Sequence, residues 1–303
     1  MNTRDDTRNE PASSPQTTPA AEDAKPQVAP AVLDFGAFWR DVSTSAASID
    51  AADELAQGSG RRVDTPVRKG FVRSLDDGKT PAPMSQIYAG GRSGIVAIKL
   101  YLALIWRCSA APFSTGKPAR AWATLLDLED PNGKGVRRIS RAMRALATSK
   151  LITLTEQDGK PNLVTLTNET GSGASYTLPS TAYARAGTEE QKTQHRYFKI
   201  AQRLWTEGYI QDLSGPATIM LLILLAEQAD SKDVWFSTAQ FPQRYRISHK
   251  TRAEGTRELV RRDLLTTHRE SLSWNGGTAV FDPRRKRTLY RLTAVSAATA
   301  DEV

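Results

Sequence analysis

The chain has 303 residues, 39% hydrophobic and 24% charged, with a formal net charge of +8 and a pI of about 9.6. That length and apolar content support one or two ordinary cores, and two domains are expected. The single cysteine, Cys108, excludes a disulfide framework and a cysteine-based metal cluster, and the longest apolar run, around Ile219 to Ala226, is too short to cross a bilayer.

In chain order, residues 1–33 contain five prolines and almost no large apolar side chain before Val32. Such a segment cannot bury enough surface to offset its conformational entropy, so a disordered tail is expected. It has no apolar stretch of the signal-peptide kind, which points to a cytoplasmic protein. Residues 34–83 read as a short amphipathic stretch, Phe35, Phe38 and Trp39, followed by a linker rich in Gly, Pro and charge whose Arg61, Arg62, Arg68, Lys69 and Arg73 make it basic.

An internal repeat begins after this linker. Ser93-Gly94 opens the helix-like run Ile95 to Trp106, and Ser214-Gly215-Pro216 opens Ala217 to Glu227, each serine placed as an N-cap. At an offset of 113 residues, Trp122-Ala123-Thr124 answers to Trp235-Phe236-Ser237, Leu146 to Leu259, Leu151 to Leu264 and Ile152 to Leu265. The offset of the helix starts is larger, so the second copy is some eight residues shorter between its first helix and its Trp, or a longer insertion separates the copies.

Each copy reads as a buried helix, a short extended piece, two helices and two strands, the order of an α+β domain. In copy one the second helix is placed at Thr124 to Glu129 and the third at Gly135 to Ser149. Leu151 to Thr155 and Leu163 to Thr167 follow as a hairpin turning at Asp158-Gly159. In copy two the helices are placed at Thr238 to Tyr245 and Ser248 to Arg262, and the strands at Leu264 to Glu270 and Thr288 to Leu292, with Thr278 to Phe281 as an optional partner. Between the copies, Glu189 to Gln194 reads as an exposed helical or irregular linker, Tyr197 to Ile200 as extended and Gln202 to Glu207 as a short helix. Trp122, Trp205, Trp235 and Trp274 are read as core residues.

The charge pattern singles out the third helices. With Ile139, Met143 and Leu146 facing a core, Arg137, Arg141 and Arg144 form a stripe on the other side, flanked by Arg138. The guanidinium fork can pair with guanine O6 and N7 or grip phosphate oxygens. In copy two the stripe is Lys250, Glu254, Arg257 and Arg261, with Ser248, His249 and Thr251 at the helix start. Arg252 stands where copy one has core Ile139, and Gly255 interrupts the helix, so either the register slips there or the helix packs loosely. The run Arg284-Arg285-Lys286-Arg287 after Asp282-Pro283 puts four cations on a hairpin, suited to lie along phosphates or enter a minor groove. The stretch Lys232 to Arg291 carries 14 Lys and Arg against 6 Asp and Glu, matching the whole net charge of the chain. The corresponding tip in copy one, Glu156 to Lys160, is nearly neutral, so copy two is expected to bind more strongly and copy one to add base contacts or dimerisation.

The stretches Arg138 to Ile152 and Ile247 to Leu265 resemble winged helix-turn-helix recognition helices running into a first wing strand. That resemblance implies a mainly α fold with small β-wings (α+β), two tandem winged-helix domains at residues 84–179 and 195–293, a linker at 180–194 and a disordered end at 294–303. The duplication resembles plasmid replication initiator proteins, which implies binding to repeated origin sequences in double-stranded DNA. A transcriptional repressor, and a winged-helix scaffold without DNA contact, stay open as alternatives. The expected contacts are Arg137, Arg138, Arg141, Arg144, Ser248, His249, Lys250, Thr251, Arg257, Arg284, Arg285, Lys286 and Arg287.

No enzyme, cofactor, metal or membrane partner is expected, and homodimerisation is left open. Gly116-Lys117 has Ala111 where a phosphate loop needs its first glycine, and no Gly-x-Ser-x-Gly elbow occurs. His195, His249 and His268 lack metal-ligand spacing.

Overall fold

The computed structural model describes residues 43–59, 64–76, 78–228, 233–271, 286–294 and 296. The expected tail at 1–33, Phe35, Phe38, Trp39, Arg61, Arg62, Trp274, the optional strand at 278–281, Asp282-Pro283, Arg284, Arg285 and the chain end after 296 lie outside the described residues. The elements begin with α1 (Ala46–Gly58), β1 (Thr65–Arg68), a 3-10 turn (Lys69–Phe71), α2 (Pro83–Tyr88) and α3 (Arg92–Arg107). Next come β2 (Ser114–Thr115), α4 (Ala119–Leu125), α5 (Lys134–Thr148), β3 (Ile152–Gln157) and β4 (Lys160–Leu166). Between the copies stand α6 (Pro179–Arg185), α7 (Glu189–His195), β5 (Tyr197–Ile200), α8 (Arg203–Thr206) and α9 (Tyr209–Asp212). The last run is α10 (Gly215–Gln228), β6 (Val234–Trp235), α11 (Gln240–Tyr245), α12 (His249–Arg261), β7 (Leu265–Ser271) and β8 (Lys286–Leu292). The chain is α+β, helical with small antiparallel sheets. Among the described residues no helix is long and apolar enough to cross a membrane.

The repeat is written in the backbone. Each copy holds a three-stranded sheet of the same order, β2-β4-β3 and β6-β8-β7. Each third helix ends in a left-handed residue, Lys150 (φ 54°) and Asp263 (φ 57°), after which Leu151 N–H donates to Leu146 O at 3.0 Å and Leu264 N–H to Leu259 O at 2.9 Å. These paired turns fix the 113-residue register of the third helices. The hairpin of copy one turns at Asp158-Gly159 as expected, with Gln157 opposite Lys160 and Gly159 at φ 65°.

The register before the third helices differs from the sequence expectation. Trp122 lies in α4 and is buried, whereas Trp235 lies on β6 and is 53% exposed, so these residues are not equivalent and Trp235 is not a core residue. The buried aromatics of α11 are Phe241 and Tyr245. The shortening of copy two lies between the second and third helices, where copy one has residues 126–133 and copy two only 246–248. The second helix of copy one also starts earlier than expected, at Ala119. Ser214 caps α10, accepting from Ala217 N–H at 3.3 Å, but Ser93 lies inside α3, whose N-cap is Gly91.

The long helices are apolar on nearly all sides, and accordingly Val96 to Trp106 of α3 and Ala217 to Ala226 of α10 are buried. Trp106 and Trp205 stack with ring centroids 5.5 Å apart. Within the stretch expected to be a basic linker, the residues from Thr65 to Val72 are instead interior. β1 pairs antiparallel with β5, and Arg68, Lys69 and Phe71 are buried. Arg68 pairs with buried Glu169 in the segment after β4, and its Nη2 donates to Thr177 O at 2.9 Å and Oγ1 at 2.8 Å. Burial pushes the Glu169 carboxyl up while Arg68 pulls it down. α1, which the sequence reading missed, is capped by Ser45, and its Ser48 Oγ donates to Leu125 O at 2.8 Å. Just before it Thr44 Oγ1 donates to Gly208 O at 2.8 Å, so this segment touches copy one and the elements between the copies.

Gly255 shows how closely a third helix is seated: a Cβ there would stand 2.3 Å from Pro216 O and 2.7 Å from Met220 Cγ. The interruption is thus a close approach of α12 to α10, not loose packing. Gly255→Ala is expected to destabilise the chain by roughly 1–3 kcal/mol despite alanine's better helix propensity. Gly58→Ala in α1, with nothing within 4 Å, should instead stabilise it by about 0.5 kcal/mol; chemical denaturation of both variants checks the contrast.

Candidate nucleic-acid interface

α5 carries Lys134, Arg137, Arg138, Arg141 and Arg144 and no carboxylate. Gly135, Ile139, Ala142, Met143 and Leu146 are buried against α3 and α4. At 100° per residue the burial of that edge turns Arg137, Arg141 and Arg144 outward, with Arg138 at the flank, and all four are exposed. None of these four arginines forms an ion pair with a described residue. Lys134 is paired, its ammonium 3.0 Å from Glu129.

α12 repeats the placement with a mixed face. Ser248 is its N-cap, accepting from Thr251 N–H at 3.1 Å. Ser248, His249, Lys250, Arg257 and Arg261 are exposed, and Lys250 meets Glu254 only at 3.9 Å. Thr251 is half-buried, its Oγ1 3.0 Å from Ser248 Oγ, and burial pushes the nearby Tyr88 phenol up in pKa. The other two arginines of this region serve the fold. Arg262 is 2.5 Å from Asp212 and 3.6 Å from Glu258, and Glu258 also accepts from Ser214 N–H at 2.9 Å.

Arg252 settles the register question raised by the sequence. Its guanidinium carbon lies 5.3, 4.8 and 5.4 Å from the ring centroids of Phe236, Phe241 and Tyr290, and Nη2 donates to Tyr290 Oη at 2.9 Å. A cation thus takes the place of Ile139 because three ring faces and a phenol oxygen receive it. The register does not slip.

On the second wing, Lys286 is exposed, while Arg287 is engaged: its Nε donates to Glu270 Oε2 at 2.8 Å and its guanidinium lies 6.0 Å from the Trp235 ring. Arg291 makes a two-pronged pair with Asp233, both contacts 2.7 Å. Arg284 and Arg285 lie outside the described residues. The structure therefore separates the expected contact residues. Arg137, Arg138, Arg141 and Arg144 share one helix, and Ser248, His249, Lys250, Thr251 and Arg257 another, with Lys286 and Arg287 on the wing strand beyond it. Arg261, exposed on the same side of α12 as Arg257, joins them, and its place on the stripe was the signal for it.

A buried lysine sits at the junction of the copies. Lys99 of α3 donates to Gln211 O at 2.9 Å and Leu213 O at 2.7 Å, closing the end of α9. Desolvation pulls its pKa down to about 8, with Asp212 and Glu258 opposing and Arg138 and Arg262 assisting. α5 packs on α3, and Glu258 of α12 accepts from Ser214 N–H next to Leu213, so both helices lie near this junction.

No family model, curated protein or solved structure matches this chain.

The arginines thus fall into structural and free sets, which stability can tell apart. Arg252→Ala removes the aromatic contacts and leaves Tyr290 Oη without its donor, a loss of about 2 kcal/mol. Arg257→Ala should stay within about 0.5 kcal/mol of the parent in the same denaturant titration.

Proposed function

We propose that the protein binds double-stranded DNA through two winged-helix-like modules, with α5 and α12 as the helices that enter the major groove. The observation that carries this reading is the face of α5. Three arginines at helical spacing are exposed and lack carboxylate partners among the described residues, opposite an edge buried on α3. Such like charges repel one another, and a polyanion relieves that repulsion by releasing its counterions. A helix with side chains is close to the width a major groove admits, and arginine suits both phosphate and guanine.

The strand hairpin after each third helix stands where a wing would follow a recognition helix, and Lys286 begins the second one. Tandem modules of this kind resemble plasmid replication initiators, and the bound site distinguishes that role from repression. Directly repeated sites beside AT-rich DNA mark an origin, and a single palindrome over a promoter marks an operator.

The test is a gel shift on mixed-sequence duplex across a salt series. The parent chain should lose affinity steeply with salt, and replacing Arg137, Arg141 and Arg144 together by Ala should flatten the log–log slope by about two to three. A salt-independent signal, or a slope unchanged in the triple variant, contradicts the proposal.

A further inference from the structure

The shared left-handed turn after each third helix lets α5 and α12 be compared residue by residue, at the offset that carries Lys150 onto Asp263. On this register Arg137 matches Lys250 and Arg144 matches Arg257, a cation in both copies. Arg141 matches Glu254, so the charge is inverted at one place in the middle of the outward face.

Nothing in the fold accounts for a carboxylate there. Glu254 accepts no hydrogen bond from a described residue, and its side chain is 43% exposed. Its contact with Lys250 is long, at 3.9 Å, and in the weaker order for a helix, with the lysine on the N-terminal side. Such exposed pairs contribute little. The neighbouring Tyr88 phenol feels Glu254 as a nearby charge, with no hydrogen bond between them. The next carboxylate along the helix, Glu258, is occupied by Ser214 and Arg262.

On a surface that meets a polyanion, a carboxylate is repelled by every phosphate. It is tolerated where a base edge offers a donor without an adjacent acceptor. In the major groove guanine shows two acceptors and thymine one, and adenine sets its amino group beside the N7 acceptor. Cytosine shows its amino donor with no acceptor on the same base beside it in the groove. Resting on the duplex-binding reading above, we propose that Glu254 reads cytosine in the major groove, so that α12 and α5 select different half-sites and the bound sequence is asymmetric. Arg141 at the matching place in α5 suits guanine, and the two halves differ by that residue as well as by flanking contacts.

The experiment is selection from a randomised duplex pool by the full chain and by its Glu254→Ala, Glu254→Gln and Arg141→Ala variants. The parent should enrich a site with one C·G pair whose preference Glu254→Ala lowers by about tenfold or more, while binding to mixed-sequence duplex strengthens. Glu254→Gln should move the preference at that pair to adenine, since an amide can pair with both N6 and N7, an effect that loss of fold would not produce. Arg141→Ala should change a different position. Identical enriched sites for the parent and both Glu254 variants would overturn the inference while leaving duplex binding intact. Failure of the parent to retain any duplex at low salt would overturn both readings, and the salt series above detects that case by itself.

Discussion

The structure depends on the seating of each third helix against a long buried helix along one narrow edge. In copy two the seat is Gly255, where α12 comes so near α10 that a methyl group would overlap Pro216 O. In copy one the matching residue is Ala142, buried on α5 between Ile139 and Leu146. Because a helix has fixed angular periodicity, burying that edge determines which side chains face out. The cationic faces are therefore a consequence of packing. Arg137 and Lys250 point away from the protein because Ala142 and Gly255 point into it.

The second constraint joins the copies. β1 precedes copy one and β5 precedes copy two, and the two pair as an antiparallel ribbon. Around this ribbon the buried Arg68–Glu169 pair, the Trp106–Trp205 stack and the ammonium of Lys99 on the α9 carbonyls link segments far apart in sequence. Breaking a buried ion pair by removing one partner is more damaging than its net stabilisation suggests, because a desolvated charge is left behind. The stacked tryptophans add apolar burial as well, and together these contacts fix how the segments meet. On the proposed reading, α5 and α12 are presented to DNA in that one arrangement.

Local signals in the sequence were sufficient for the third helices, the Ser248 cap, the Asp158-Gly159 turn and the short strand at Tyr197–Ile200. Each depends on periodicity or on turn chemistry within a few residues. Long-range pairing was not legible. Arg68 and Lys69 read as linker charges because nothing near them in sequence shows that Glu169, a hundred residues on, is buried opposite Arg68. Arg252 looked like a register error because its three aromatic partners come from a loop, α11 and β8. Trp235 was taken for core from its residue type and from a chance match with Trp122, while its place on the outward side of a two-residue strand leaves it exposed. On the wing, two of the four expected cations fall outside the described residues, and Arg287 is held by Glu270, so the free charge rests more on α5 than the sequence suggested.

The fold divides its arginines into a held set and a presented set, and on the proposed reading duplex DNA takes the second. Arginine-selective chemical labelling read by mass spectrometry, with and without duplex at low salt, tests both halves at once. Arg137, Arg141, Arg144, Arg257 and Arg261 should label in the free chain and become protected by duplex, while Arg68, Arg252 and Arg262 resist labelling throughout. Equal labelling of the α5 and α12 arginines with and without duplex would contradict the account.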